Sequence, residues 1–189
     1  MADVLIAYAS TEGRTAEIAT QLAERLRGHG HAVTVLDTRS VPRGFSAGRF
    51  HAAIVAGSVH YGRHQSSLRK FVQRHREAFE GLPTVFASVS LSAGHPEATR
   101  HAERFAAETG WQPGEIVNLG GVLAYTRYSF LKRLLMRSIM NRKGGPTNTK
   151  RDWEFTDWRA VESLADRLAA RLEGRETGSA EGQAGGAGG

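Results

Sequence analysis

The chain has 189 residues, 40% of them hydrophobic, with 22 glycines and a formal net charge of +6, a length that suits one domain with room to bury a core. It contains no cysteine, which excludes disulfide staples, thiolate metal sites and thiol redox chemistry, and no apolar run approaches a membrane span. The positive charge is local: eight of the 25 Lys and Arg residues fall between Tyr125 and Arg151 with no acidic residue among them, which leaves the other 17 against all 19 acidic residues.

The opening "MADVLIAYAS" lacks a basic n-region and has only a short apolar run, so it reads as a first strand, Asp3–Tyr8, and not as a signal peptide. After "YASTEGRT" (Tyr8–Thr15), Ile18, Leu22 and Leu26 recur every four residues and predict a helix. Ala32–Asp37 reads as the second strand, and the connection "TRSVPRGFSAGRF" is too irregular for a helix. The third and fourth strands, Ala52–Ser58 and Thr84–Ser90, are near-continuous apolar runs of the kind buried on both faces. Between them Leu68, Phe71, Val72, His75 and Phe79 mark a helix, and Ala98, Ala102, Phe105 and Ala106 mark the next. A fifth strand is expected at Glu115–Leu123, and Val161, Leu164, Ala165, Leu168 and Leu172 form a last helical stripe. Such alternation predicts a parallel α/β sheet.

The stretch 124–155 interrupts it, with about thirty residues where a short connection would serve. Its first half predicts a helix with Phe130, Leu131, Leu134, Leu135 and Ile139 on one side; Lys132, Arg133, Arg137 and Lys143 lie on the other, with Met136 and Met140 among them. The second half, "PTNTKRDWEF", reads as a loop. The expected organisation is a domain over 1–173 that carries this insertion, and a flexible Gly-rich tail over 174–189.

"YASTEGRT" places the Ser10, Thr11 and Thr15 hydroxyls at a helix N-terminus, where amides and the helix dipole favour an anion, and Gly13 permits a tight turn. It has neither the lysine of a Walker loop nor G-x-G-x-x-G, and from this loop alone a capped strand-to-helix turn stays equally open. Two further loops, "GSVHYGRHQSS" and "SVSLSAGHP", follow the third and fourth strands. Ligands of open α/β sheets sit beyond the carboxyl ends of the strands. Tyr61 supplies a ring to stack on a flat ligand, and Gly57 and Gly62 allow close backbone approach, so a flat phosphorylated cofactor such as FMN fits. His60 and His64 lack a third ligand at useful spacing and read as loop histidines, so no metal is expected. Trp111, Trp153 and Trp158 read as packing anchors. The basic helix reads as a solvated face over a core or as a contact surface. No nucleic-acid module accompanies it, and no nucleic-acid partner is expected.

These loops resemble the flavodoxin-like family, which carries FMN on a doubly wound five-stranded parallel sheet of order 2-1-3-4-5. Ser10, Gly13 and Thr15 match its phosphate loop, S/T-x-T-G-x-T, and Glu12 departs from it. More narrowly, "GSVHYGRHQSSLRKFV", "WQP" before the last strand, "AYTRYSFLKRLLMRSIM" and "GGPTNTKRDWEFTDW" resemble the HemG-type menaquinone-dependent protoporphyrinogen IX dehydrogenases, which have an acidic residue before that glycine. The resemblance runs from Val4 to Leu172. It implies a heme-biosynthetic flavoenzyme that oxidises protoporphyrinogen IX to protoporphyrin IX and passes electrons to a membrane quinone, cytoplasmic and peripheral on the inner face of the cytoplasmic membrane.

For the site, it implies that Ser10, Thr11, Glu12, Gly13, Arg14 and Thr15 hold the FMN phosphate, with Arg14 offsetting part of Glu12. It likewise implies that Ser58, Val59, His60, Tyr61 and Gly62, with Ser90, Leu91 and Ser92, hold the isoalloxazine. No catalytic acid or base is assigned. Arg127, Tyr128, Lys132, Arg133 and Arg137 become candidates for substrate or membrane contact in an insertion that covers the flavin edge. The competing readings are a flavodoxin-type electron carrier, a flavin-dependent NAD(P)H:quinone reductase, and a chain in which Glu12 prevents FMN binding.

Overall fold

A computed structural model describes the backbone of residues 1–184 and the side chains of residues 1–175. In chain order the elements are β1 (Asp3–Ala9), α1 (Arg14–Gly28), β2 (Ala32–Asp37), β3 (Ala52–His60), β4 (Arg63–His64), α2 (Ser66–Phe79) and β5 (Thr84–Ser90). There follow α3 (Pro96–Thr109), β6 (Glu115–Gly120), β7 (Val122–Leu123), α4 (Phe130–Arg142), β8 (Trp153–Glu154) and α5 (Trp158–Ala184). Helix α5 continues past Gly174, where the tail was expected to begin, and residues 185–189 lie outside the described residues.

Five strands pair in parallel in the order β2-β1-β3-β5-β6, which is the 2-1-3-4-5 order expected of the long strands. Alternate side chains of each strand enter opposite layers, because the strand period is two. Val4, Ile6, Ile54 and Val85 pack against Ile18 and Leu22 of α1 and Leu164 and Leu168 of α5. Leu5, Val55 and Phe86 pack on the other face against Leu68 and Phe71 of α2 and Phe105 of α3. Trp111 anchors that face, its ring 5.7 Å from Phe79 and 6.0 Å from Phe86. Trp153 and Trp158 are half-buried.

The expected fifth strand is two strands. Strand β6 ends at Gly120, the Gly121 amide donates to the Ser90 carbonyl at 3.0 Å, and β7 then pairs antiparallel with β8. Gly120 is required for this crossing, since a Cβ there would lie 1.8 Å from the Phe155 carbonyl oxygen. "PTNTKRDWEF", expected as a loop, therefore contains β8, which is too short for a readable alternation.

Strand β3 also runs beyond Ser58 and folds back. Tyr61 and Gly62, at φ +48° and +74°, make a two-residue turn that pairs Val59 with His64 and His60 with Arg63. Turns of this kind favour Asn, Asp or Gly at the first position, so tyrosine hid the hairpin. The hairpin buries His64, which corrects its reading as a loop histidine. Its Nε2 lies 3.1 Å from Ser88 Oγ, and its ring packs between Phe86 and Phe105.

Burial pushes the His64 imidazole down from 6.5 to about 4. The unfolded chain therefore takes up a proton near pH 6.5 that the folded chain refuses until about pH 4. The stability tied to His64 is fully present above pH 6.5 and is lost as the pH falls toward 4, up to about 3 kcal/mol. Urea unfolding between pH 7.5 and 4.5 should show this loss, and His64→Gln should flatten it.

Candidate active site

The loops after β1, β3 and β5 meet at one edge of the sheet around a cavity of about 300 Å³. In the first loop Ser10 Oγ accepts the Gly13 N–H at 3.0 Å. Gly13 then turns at φ +94°, a conformation that strains any side chain, and α1 begins at Arg14. The first amides of a helix have no intrahelical partners. Two side-chain groups at the same place are also unpaired: Thr15 Oγ1 and Arg14 Nε are buried without a hydrogen-bond partner, and both residues line the cavity. Buried polar atoms are rarely left so, and here they surround a ready anion cradle.

Gln65 ties this loop to the second. Its Nε2 donates to Thr11 Oγ1 at 3.1 Å and to Ser58 Oγ. Tyr61, at the hairpin tip, is 86% exposed, so a ligand could cover its ring without displacing protein. In the third loop the Ser92 amide donates to Ser90 Oγ at 3.2 Å, and the Ser92 hydroxyl donates to Glu97 Oε2 at 3.1 Å. Lys143 Nζ reaches the same Glu97 oxygen at 2.5 Å, and this bonded ammonium holds Glu97 below the usual carboxylate range. His101 Nε2 lies 3.7 Å from Glu97 Oε1.

Helix α4 roofs the cavity through a contact centred on Glu12. The Tyr128 hydroxyl donates to Glu12 Oε2 at 2.8 Å, Lys132 Nζ to Oε1 at 2.6 Å, and Arg127 Nη1 to the Glu12 carbonyl at 3.2 Å. Burial and the adjacent Glu12 carboxylate raise the Tyr128 phenol, which keeps it a neutral donor. His60 Nε2 is 4.0 Å from Glu12 Oε1, but burial lowers its pKa, so Lys132 is the cation that meets the carboxylate. This corrects the expectation that Arg14 offsets part of Glu12, since Arg14 Nη1 lies 2.6 Å from Glu17 and 3.0 Å from Glu154.

The orientation of α4 is opposite to that of a core-facing amphipathic helix. Lys132, Met136, Ile139, Met140 and Lys143 face the cavity, whereas Phe130, Leu131, Leu134 and Leu135 are exposed. A helical wheel separates two faces without saying which one packs. Glu12 and Glu97 supply carboxylates for the lysines, and the thioethers fill the space between. Tyr125, Tyr128 and Met140 form a small core with Leu123 and Ala124 under this roof.

Of the residues singled out in the sequence, Ser10, Glu12, Arg14, Thr15, Ser58, Val59, His60, Tyr61, Gly62, Ser90, Leu91, Ser92, Tyr128 and Lys132 line the cavity. Thr11 and Gly13 shape the first loop behind it. Arg133 is turned inward, donating to the carbonyls of Tyr125 at 2.9 Å and Tyr128 at 3.2 Å, while Arg127 and Arg137 are exposed outside the cavity. Sequence reasoning missed Gln65, Glu97 and His101. Glu97 did carry a signal, an acidic residue in the first turn of a helix that begins with Pro96. Gln65→Leu should unlink the first two loops and cost about 1–2 kcal/mol in urea unfolding.

The sequence model of the family described as "Flavodoxin domain" matches residues 5–150. The chain is 29% identical over 170 residues to a protein of Escherichia coli (strain K12) named protoporphyrinogen IX dehydrogenase (quinone), covering 87% of this chain and 93% of that one. A Leishmania major protein of the same name is 27% identical over 175 residues, covering 88% of this chain and 74% of that one. Among solved structures, an archaeal flavodoxin superposes with a TM-score of 0.54 at 15% identity, covering 90% of this chain and 99% of that one.

Proposed function

The chain belongs to the flavodoxin-domain family, and from that premise we propose that it is an FMN-dependent protoporphyrinogen IX dehydrogenase of heme biosynthesis that passes electrons to a membrane quinone. The observation that carries this reading is the cavity itself. Its phosphate end holds the unpaired donors of Arg14 and Thr15, and its mouth is roofed by the insertion. The names of the Escherichia coli and Leishmania major relatives, matched over most of this chain, supply the substrate and acceptor. A carrier flavodoxin typically presents an acidic surface to its reductase, which the net charge of +6 disfavours.

The residues present fit FMN. Ser10, Thr11, Gly13, Arg14 and Thr15 would hold its phosphate; the segments Ser58–Gly62 and Ser90–Ser92 would flank its ring, with Tyr61 as the stacking face. When bound, FMN supplies the two-electron acceptor chemistry, and the protein binds, orients and shields. Met136, Met140 and Val122 make the cavity wall apolar and keep water from the reacting edge. His60 lines the cavity, where burial holds it toward its neutral form. Arg127, exposed beside the first loop, suits a substrate propionate, since guanidinium forks bond carboxylates in pairs.

The outward face of α4 supplies the membrane contact. Phe130 and Leu131 are 76% and 77% exposed, Leu134 and Leu135 follow, and the cationic Arg137, Arg142, Lys150 and Arg151 stand exposed in the same insertion. Contiguous apolar exposure of this kind marks an interaction surface. An apolar stripe flanked by cations suits the interface of an anionic bilayer, in which the quinone resides. The contact proposed is a peripheral one, at the inner face of the cytoplasmic membrane; no helix among the described residues is long and apolar enough to cross a membrane.

Purified protein should carry flavin absorbance and release FMN on denaturation, and Thr15→Val should weaken FMN about tenfold through one lost bond to a charged group. Supplied with protoporphyrinogen and a menaquinone analogue, the protein should generate protoporphyrin fluorescence. A rate no faster than autoxidation would contradict the reading, and NAD(P)H oxidation by the same sample would favour a quinone reductase. The double variant Leu131→Glu, Leu135→Glu should lose co-sedimentation with phosphatidylglycerol vesicles while still binding FMN. Unchanged sedimentation would remove the α4 face from the account.

A further inference from the structure

We propose that Glu12 is a positioning residue: acting through Tyr128 and Lys132, it latches the insertion to the phosphate loop, so that the roof of the cavity and the grip on the cofactor phosphate open and close together. The inference rests on the reading of the cavity as an FMN site.

Three donors of the insertion converge on one residue of the first loop, from 115 to 120 positions away in the chain. Two reach the Glu12 carboxylate, one oxygen each, and the third reaches its carbonyl. A threonine at this position, as in the flavodoxin loop that "YASTEGRT" resembles, has one short hydroxyl and cannot bridge both Tyr128 and Lys132. A carboxylate beside an anion cradle is repulsive unless it is neutralised, and its side chain here is only 19% exposed. Lys132 neutralises it and also lies 4.1 Å above the Tyr128 ring, so the cation is held from two sides.

Helix α4 is thereby pinned at both ends. Lys132, near its start, is paired with Glu12, and Lys143, at its close, with Glu97. Thirteen helical residues span roughly 20 Å, the length of a strap across the mouth. The first anchor is part of the cradle itself. Glu12 is followed directly by Gly13 at φ +94° and by the first helical amide at Arg14, so a displacement of Glu12 moves the groups that face the phosphate. The strap and the cradle thus share one residue, so lifting the strap disturbs the cradle.

The test compares wild type with Glu12→Gln, Glu12→Thr, Tyr128→Phe, Lys132→Gln and the double variant Glu12→Gln, Lys132→Gln. Two quantities are read: the rate of FMN release on dilution, and hydrogen–deuterium exchange of residues 130–142 in the cofactor-free protein. The latch predicts about tenfold faster FMN release in both Glu12 variants, the size of one charge-assisted bond. It also predicts faster exchange in α4 without FMN, while FMN affinity changes less than the release rate because entry is freed as well. Lys132→Gln should release FMN fastest, since it leaves Glu12 uncompensated beside the phosphate, and adding Glu12→Gln should partly rescue it. A merely structural role would make the double variant worse. Wild-type exchange across α4 in both Glu12 variants, or absence of the rescue, would overturn the proposal. A wild-type protein that takes up no FMN would overturn its cofactor half, and the exchange of the cofactor-free variants would then decide the mechanical half alone.

Discussion

An acidic side chain inside a loop shaped for an anion has to be neutralised, and in this chain the neutralising groups come from the insertion. Glu12 receives Lys132 and Tyr128 at 2.6 and 2.8 Å. The orientation of α4 follows from that. Once Lys132 faces the cavity, Met136 one helical turn on and Ile139 two turns on face it too. Lys143 then meets Glu97 at the far end. The apolar residues of the opposite half, Phe130, Leu131, Leu134 and Leu135, are left to the outside. One ionic contact thus connects the first loop, the roof and the exposed apolar face of α4.

The sheet makes this contact possible by bringing distant segments to one edge. Parallel strands end together, so the loops after β1, β3 and β5 open side by side although they are far apart in sequence. The break at Gly120 and Gly121 is the other requirement. By ending β6 against Phe155 and bonding to Ser90, it sends the chain back across the mouth through β7 and β8 and does not extend the sheet. The insertion is therefore seated by backbone hydrogen bonds at its root and by side-chain ion pairs along its length. Backbone pairing fixes its place, and ion pairs are the more readily broken of the two.

Much of this was legible in the residues. The first four long strands are legible to within two residues, β3 and β5 most plainly because they are buried at six of nine and at all seven residues and so have no polar face, whereas the fifth reads past the break at Gly120. The three loops are legible because each follows the carboxyl end of a parallel strand, where ligands of open α/β sheets sit. The misses share a cause. The Tyr61–Gly62 hairpin and β8 are too short to show a period, and tyrosine is an unusual residue at φ +48°. Gln65 and Glu97 act on Thr11 and Lys143, partners that only the fold brings near. Arg14, two positions from Glu12 in sequence, is the cation that the sequence offers to offset it, whereas Lys132, 120 positions away, is adjacent in space. The wheel of α4 separates Lys132 and Lys143 from Phe130, Leu131, Leu134 and Leu135, but Ile139 joins the lysines at the cavity and Arg137 faces outward, because carboxylates outside the helix choose the inward face.

Glu12 holds the side of α4 that carries Lys132, Met136 and Met140 inward and leaves the side that carries Phe130, Leu131 and Leu134 outward. Because the chain has no cysteine, single replacements report accessibility without background. Leu134→Cys should react with a water-soluble maleimide at a rate near that of a free thiol and become protected on addition of phosphatidylglycerol vesicles. Met136→Cys, two positions on, should react far more slowly with or without vesicles. The reverse pattern, with position 136 reactive and position 134 shielded in the absence of lipid, would contradict the account.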